Sequence, residues 1–160
     1  MILILIGVAG SGKTTVGKLL AVDLGWPFYD GDDFHPPENI TKMRGGLPLT
    51  DQDRLAWLSA LRKLIDQALQ ARTSVVIACS ALKQAYREQL QGKDKEIQFV
   101  YLKGSYELMH QRLRARRGHF MKADLLTSQY DALEEPTEAL TVEAAAPTKI
   151  VEKIRQAFAV

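Results

Sequence analysis

The chain has little cysteine, little net charge and no long hydrophobic run. Its single cysteine, Cys79, excludes an internal disulfide framework and favours the reducing cytoplasm. The 21 Lys and Arg residues nearly balance the 19 Asp and Glu residues, so net charge does not indicate nucleic acid or an anionic membrane as partner. The apolar start at residues 2–6 is too short for a signal peptide or a membrane span. We therefore expect no membrane partner.

The composition and the hydrophobic pattern predict one α/β domain over residues 1–160. Of the 160 residues, 46% are hydrophobic, which suits a single sizeable core. Strand-like and helix-like segments alternate along the chain, and this alternation predicts a parallel five-stranded sheet flanked by helices. We place the strands at about 2–6, 27–30, 75–79, 97–102 and 139–143. A long helix is predicted at about 52–71, and residues 31–50 are predicted to be a loop because they lack periodicity.

A phosphate-loop motif follows the first predicted strand. Residues 7–14 match the pattern G-x-x-x-x-G-K-[ST], and a helical pattern comes next. Glycines let successive N–H groups point at phosphate oxygens, Lys13 adds a positive charge, and the Thr14 hydroxyl can bind Mg²⁺. The motif predicts a P-loop NTPase fold that binds a nucleoside triphosphate. The predicted nucleotide-binding residues here are Gly7, Val8, Ala9, Gly10, Ser11, Gly12, Lys13, Thr14 and Thr15.

An acidic segment follows the second predicted strand. Ligands of parallel sheets bind beyond the carboxyl ends of the strands, where Asp30, Asp32 and Asp33 fall. Three carboxylates in four residues repel one another unless a cation or bound hydroxyls compensate, so a role with metal and substrate is favoured. An ordinary acidic turn is the alternative. His35 gains significance only from these neighbours.

Basic residues elsewhere suggest an anionic substrate. Lys83 and Arg87 lie four residues apart, so both can occupy one helix face, and Arg54 lies near the start of the long helix. A guanidinium can hold a carboxylate through two hydrogen bonds. For each cation taken alone, a solvated surface charge is the alternative.

The strongest local charge cluster lies at residues 112–122. It contains Arg112, Arg114, Arg116, Arg117 and Lys122, together with His119, around a helix end that breaks at Gly118. A nucleic-acid patch is one interpretation, but few aromatic residues are interleaved. A solvated helix face is a second. We favour a mobile lid, at about 112–125, whose arginines close over the triphosphate.

Several further runs add to the phosphate loop: Asp30-Gly31-Asp32 with His35-Pro36, Asn39-Ile40 with Lys42-Met43, Pro48-Leu49 with Asp51, Asp53 and Arg54, Trp57-Leu58, Cys79-Ser80-Ala81-Leu82-Lys83 with Tyr86-Arg87, Tyr101-Leu102-Lys103-Gly104, Gly118-His119-Phe120, and Glu135-Pro136. Together they resemble the runs of the small gluconokinases, which phosphorylate D-gluconate with ATP. The resemblance spans nearly the whole chain. It implies a nucleoside-monophosphate-kinase-like fold, Mg²⁺ dependence, a cytoplasmic location, often a homodimer, and a substrate-binding region at about 31–54. Arg44 departs from the pattern in many relatives and is either surface charge or a local adjustment of the pocket.

The resemblance also implies individual roles. Lys13 would hold phosphates, Thr14 would bind the metal, and Asp30 would act on the metal through water. Asp32 would orient or deprotonate the attacking 6-hydroxyl, an assignment by analogy with related small-molecule kinases. Arg112 and Arg116 are expected to contact the triphosphate, and Arg116 is also expected to be catalytic. The residues expected to contact the sugar acid are Asp32, His35, Arg54, Lys83, Arg87 and His119.

Three alternative functions stay open at this level. Another small-molecule kinase of the same fold could act on shikimate, a nucleotide or adenylyl sulfate. A nucleotide-dependent switch would bind ATP without transferring phosphate. An RNA-handling protein would use the arginine cluster and would bind oligonucleotides in a salt-dependent way. The residues do not decide between ATP and GTP, nor do they define the oligomeric state.

Overall fold

The computed structural model describes residues 1–116 and 124–160, which fold around a five-stranded parallel sheet. The strands are β1 (Ile2–Ile6), β2 (Phe28–Asp30), β3 (Val75–Ala78), β4 (Ile97–Lys103) and β5 (Leu140–Glu143), in the spatial order β2-β3-β1-β4-β5. All four strand pairings are parallel. The α/β prediction and the five predicted strand positions are confirmed, with differences of one residue at some ends.

Helices cover both faces of the sheet. They are α1 (Lys13–Leu24), α2 (Pro37–Arg44), α3 (Asp51–Gln70), α4 (Gln84–Gln91), α5 (Tyr106–Ala115), α6 (Asp124–Ala132) and α7 (Pro147–Phe158), with a 3-10 helix at Gly31–Phe34. Within the two described ranges, no helix combines the length and the apolar character needed to cross a membrane.

The central strand β1 carries the core on both of its faces. Successive side chains of a strand point to opposite sides, and every residue of β1 is buried. Ile4 packs with Trp57 and Leu61 of α3, whereas Leu5 packs with Leu20 of α1 on the other face, where α7 also contributes. The sheet is therefore covered on both sides, and its carboxyl edge is left for a site.

The segment at 31–50 corrects the loop prediction. It contains the 3-10 helix, which has a side-chain cap, and α2, which starts with a proline in its first turn; neither needs hydrophobic periodicity to begin. The Asp30 carboxylate accepts a hydrogen bond from the Asp32 N–H at 3.0 Å. Pro37 occupies the first turn of α2, where its fixed φ suits a helix and its missing N–H costs nothing. Prolines that resemble loop residues in the sequence therefore start a helix here.

The start of the long helix agrees with the sequence. Thr50 Oγ1 accepts from the Asp53 N–H at 3.1 Å, and Asp53 Oδ2 accepts from the Thr50 N–H at 2.9 Å, which is a complete capping box. The helical spacing of Leu55, Leu58, Leu61, Ile65 and Leu69 predicts one buried face, but Leu55 is 47% exposed while Trp57 is buried. The capping box orients the first turn of α3 beside the carboxyl edge of the sheet.

The predicted lid at about 112–125 overlaps two helices. Residues 112–115 form the last turn of α5, and residue 124 begins α6. Residues 117–123, with His119 among them, lie outside the described residues. The mobility of this segment therefore stays a prediction.

Candidate active site

A cleft of about 380 Å³ opens at the carboxyl edge of the sheet. The phosphate loop, the 3-10 helix, the start of α3, the end of β3 and α6 enclose it. The lining includes Ala9, Gly10, Gly12, Lys13, Thr14, Asp30, Asp32, His35, Arg54, Trp57, Ser80, Lys83, Arg116, Ser128 and Gln129. The phosphate-loop, acidic and basic residues predicted from the sequence thus meet in one place.

The phosphate loop surrounds the ammonium group of Lys13. Gly10 and Gly12 have φ values of 82° and 96°, a left-handed conformation that glycine adopts without strain. The loop turns back so that Lys13 Nζ donates to the carbonyl oxygens of Gly7 and Val8, each at 2.9 Å. Burial lowers the pKa of Lys13, and the charge of Asp32 is the strongest opposing influence. Lys13 and Asp32 line the same cleft.

Two oxygen ligands suited to Mg²⁺ lie next to that loop. Thr14 Oγ1 donates to Asp30 Oδ2 at 2.9 Å, which brings a hydroxyl and a carboxylate together. Mg²⁺ prefers oxygen ligands, keeps several waters, and uses one or two protein groups together with substrate phosphates. Within residues 1–116 and 124–160 no group of three His, Cys, Asp or Glu side chains could hold a metal. The pair fits a metal that is bound jointly with a nucleotide.

His35 forms part of the wall opposite the phosphate loop. Its imidazole stacks on the Trp57 indole with ring centroids 4.4 Å apart and an angle of 12° between the planes. Trp57 Nε1 donates to the Gly31 carbonyl at 2.8 Å, which anchors the indole. Burial and the nearby Arg54 cation lower the pKa of His35 to about 4. His35 is therefore neutral at physiological pH.

The two predicted cations of this wall have different partners. Lys83 Nζ lies 2.9 Å from Asp51 Oδ1, and the Tyr86 hydroxyl also donates to that carboxylate. Arg54 donates to the Leu49 carbonyl at 2.7 Å and lies 5.4 Å from the centre of the Tyr86 ring. In the described part of the chain no carboxylate lies within ion-pair distance of Arg54. Of these two cations, Lys83 thus has a carboxylate partner, and Arg54 has none within ion-pair distance among the described residues.

Arg87 does not line the cleft, contrary to the expected substrate contact. Its side chain is buried, and Nη1 donates to the carbonyls of Ala81 at 2.8 Å and Leu82 at 3.0 Å. Nη2 donates to Gln84 Oε1 at 3.1 Å and to the Glu134 carbonyl at 2.7 Å. Helix α4 starts only at Gln84, so Lys83 precedes it and does not share a helical face with Arg87. Arg87 ties the β3–α4 connection to the segment after α6.

Replacing Arg87 with methionine should therefore lower stability. Three main-chain carbonyls and the Gln84 side chain would lose a buried donor, and we expect the free energy of unfolding to fall by about 3 kcal/mol. Urea unfolding of Arg87→Met measures this, with Arg44→Met at an exposed position as the control. Unchanged stability combined with a raised KM for the acceptor would instead indicate that Arg87 contacts the substrate.

Two arginines of the predicted lid, Arg112 and Arg116, differ in position. Arg112 Nη1 donates to the Gly10 carbonyl at 3.0 Å, so it supports the phosphate loop from behind and does not line the cleft. Arg116 follows the last residue of α5, is exposed, and lines the cleft. The arrangement places one guanidinium where it can approach a bound triphosphate.

Sequence reasoning missed several lining residues. Gln129 Oε1 accepts from the Ala9 N–H at 2.7 Å, which connects α6 to the phosphate loop, and nothing in the local pattern signals this contact. Trp57 belongs to the quoted runs and lies three residues after Arg54 on the same face of α3, but its place in the cleft lining was not predicted. Asp51 belongs to the quoted motifs, but its pairing with Lys83 depends on the tertiary fold.

A family model, curated relatives and solved structures each match most of the chain. The family model described as shikimate kinase matches residues 9–157. A gluconokinase from Gluconobacter oxydans is 48% identical over 134 residues, which cover 84% of this chain and 75% of that protein. The crystal structure of a gluconokinase from Sinorhizobium meliloti has a TM-score of 0.86 and 41% identity, covering 98% of this chain and 90% of that one.

A second solved structure extends the likeness. An unliganded sugar kinase from Janibacter sp. has a TM-score of 0.92 and 39% identity, and the match covers 99% of this chain and 94% of that one. Identity at this level over most of both chains, together with the phosphate loop and the cleft, decides the family. The chain belongs to the gluconokinase family of P-loop kinases.

Proposed function

We propose that this protein transfers the γ-phosphoryl group of ATP to the 6-hydroxyl of D-gluconate, forming ADP and 6-phospho-D-gluconate. The observation that carries the proposal is a single cleft with a phosphate loop on one side and Asp32, His35 and Arg54 on the other. The names of relatives at 41% to 48% identity support gluconate as the acceptor.

The nucleotide half of the cleft would bind the triphosphate through main-chain N–H groups, the N-terminus of α1 and Lys13. Thr14 would hold Mg²⁺ directly and Asp30 would hold it through water. When bound, the metal supplies positive charge that neutralises the phosphate oxygens and orients them. Arg116, with Arg112 behind the loop, would add positive charge beside the transferred group.

The acceptor half would orient the sugar acid for in-line attack. Asp32 accepts the proton of the 6-hydroxyl as the bond from that oxygen to the γ-phosphorus forms. The bond from the γ-phosphorus to the β–γ bridging oxygen breaks, and that oxygen leaves with ADP. Arg54 faces the substrate carboxylate, while Lys83, already paired with Asp51, offers hydrogen bonds to hydroxyl groups. His119 completes the proposed acceptor contacts.

The reaction is tested by mixing protein, Mg²⁺ and ATP with gluconate, glucose, shikimate or AMP in parallel. Of the four acceptors, we expect only gluconate to cause ADP release. ³¹P and ¹³C NMR should locate the new phosphate on the 6-oxygen. Transfer to a different acceptor would mean that the protein is a kinase with a different substrate. ATP binding without transfer to any acceptor would instead support a nucleotide-dependent switch.

Arg54→Met should raise the KM for gluconate by about 10- to 100-fold and leave the KM for ATP nearly unchanged. Charged hydrogen bonds contribute about 1.5–3 kcal/mol, and Arg54 is the cation of the wall without a carboxylate partner in the described residues. Steady-state kinetics with each substrate varied in turn measures the effect. Arg114→Met, at an exposed position of α5, is the matched control. An equal change in both KM values would contradict a specific contact with the acceptor.

Two further parts of the proposal follow from the family resemblance. We place the protein in the cytoplasm, where the free thiol of Cys79 stays reduced. We also propose a homodimer, which light scattering of the purified protein at several concentrations tests directly.

A further inference from the structure

The side chain of Asn39 connects helix α2 to the first turn of α3 and to His35. Asn39 lies on α2, and only 3% of its surface is exposed. Its Nδ2 atom lies 2.8 Å from the main-chain carbonyl oxygen of Asp53 and 3.2 Å from Nδ1 of His35. A buried amide with two such partners defines the hydrogen positions of its neighbours.

The Asp53 carbonyl decides the orientation of the Asn39 amide. A carbonyl oxygen can only accept, so the atom that faces it must be the NH₂ group and not the amide oxygen. That group has two hydrogens, one directed at Asp53 and one available for His35. Nδ1 of His35 must therefore be the ring nitrogen that accepts, and in a neutral imidazole the hydrogen then lies on Nε2.

The environment of His35 keeps this arrangement in place. The stack on Trp57 restricts rotation of the ring, and burial disfavours the imidazolium form. Arg54 disfavours it further because of its positive charge. His35 lines the cleft. Across residues 1–116 and 124–160, no protein atom forms a hydrogen bond with its Nε2 atom, so this atom is available to a ligand in the cleft.

We infer that Asn39 is a positioning residue which holds His35 as its Nε2–H tautomer, so that His35 presents a hydrogen-bond donor to an oxygen of the sugar acid. The identity of that ligand rests on the proposed function. His35 therefore acts neither as a general base nor as a cation. The Nε2–H group of His35 can donate to a substrate oxygen that has a lone pair. It cannot form a hydrogen bond with an ammonium group or with any other group that only donates.

The tautomer is tested on ligand-free protein labelled with ¹⁵N-histidine. Long-range ¹H–¹⁵N correlation spectra, assigned by comparison with His35→Gln, should show an unprotonated Nδ1 and a protonated Nε2 from pH 8 to pH 5. Asn39→Asp, which presents an acceptor to Nδ1, should move the hydrogen to Nδ1. An Nδ1–H form, a mixture of tautomers, or protonation of His35 near pH 6.5 in the parent protein would overturn the inference.

Kinetics adds a second readout that does not depend on the folding of Asn39→Asp. We expect His35→Met to raise the KM for gluconate by about tenfold, and His35→Gln, whose amide can donate near the position of Nε2, to raise it less. The KM for ATP should change little in both. Equal effects of Gln and Met would contradict the role of the donor.

The tautomer of His35 and the proposed function can fail separately. A protonated Nε2 in a protein that does not phosphorylate gluconate would overturn the proposed function and support the assigned tautomer. Gluconate phosphorylation by a protein with a protonated Nδ1 would support the function and overturn the role of Asn39.

Discussion

Asp32→Asn is expected to bind ATP as the parent protein does and to phosphorylate gluconate about 10²- to 10⁴-fold more slowly, the usual contribution of a positioned acid or base. Asparagine keeps the shape of the side chain but cannot accept the hydroxyl proton. The main chain at this position is held by the bond from the Asp32 N–H to Asp30, so the local fold should survive. Single-turnover kinetics with saturating ATP isolates the chemical step from product release.

Asp33→Asn is the matched control for that variant. Asp33 lies in the same 3-10 helix, but its side chain is exposed and it does not line the cleft. We expect this substitution to change turnover by less than about twofold, because surface substitutions are usually near neutral. Turnover of Asp32→Asn within a few-fold of the parent value, with ATP still bound, would mean that Asp32 is not the proton acceptor.

Lys13→Met should lower kcat/KM by about 10²- to 10³-fold, the loss seen when one preorganised charge contact to a transition state is removed. In the structure the ammonium group donates to the carbonyls of Gly7 and Val8, inside the loop that would receive the phosphates. Methionine has a similar length and no charge, so the substitution removes the cation with little change in volume. Both kcat and ATP affinity should fall, as calorimetry and steady-state kinetics would show.

The control for the lysine experiment lies on the same helix. Lys18 is exposed on α1, one turn beyond the phosphate loop, and Lys18→Met removes an equal charge from the chain. We expect no measurable change in ATP affinity, because exposed charges at that distance are screened by solvent and salt. Normal turnover of Lys13→Met would refute the phosphate-loop assignment, while an equal loss in both variants would indicate a general effect of charge.

Features that depend on local spacing were predictable from the sequence. The buried strand β1, the glycines of the phosphate loop and the capping box of Thr50 and Asp53 involve residues close together in the chain, so their patterns carry the geometry. The alternation of strands and helices was sufficient for a parallel sheet. Asp30 and Asp32 could be placed near the site because carboxyl ends of parallel strands share one edge.

Short helices without hydrophobic periodicity and contacts with long-range partners were not predictable in the same way. The 3-10 helix and α2 have little hydrophobic periodicity, so the rules that find amphipathic helices overlook them. Arg87 illustrates the second difficulty, since four of its hydrogen-bond acceptors come from two separate segments. A basic residue in a kinase motif resembles a ligand contact until its burial and partners are known.

The phosphate loop, the parallel sheet, the family resemblance and the general chemistry of the cleft follow from the residues alone, because each depends on residue type and on short spacing. The packing of separate elements determined, in contrast, which cations are available to a substrate. It paired Lys83 with Asp51 across 32 positions of the chain and turned Arg87 into the interior. It also brought the Asp53 carbonyl to Asn39, which lies four residues after His35, because a hydrogen bond between separate helices forms only once those helices have packed.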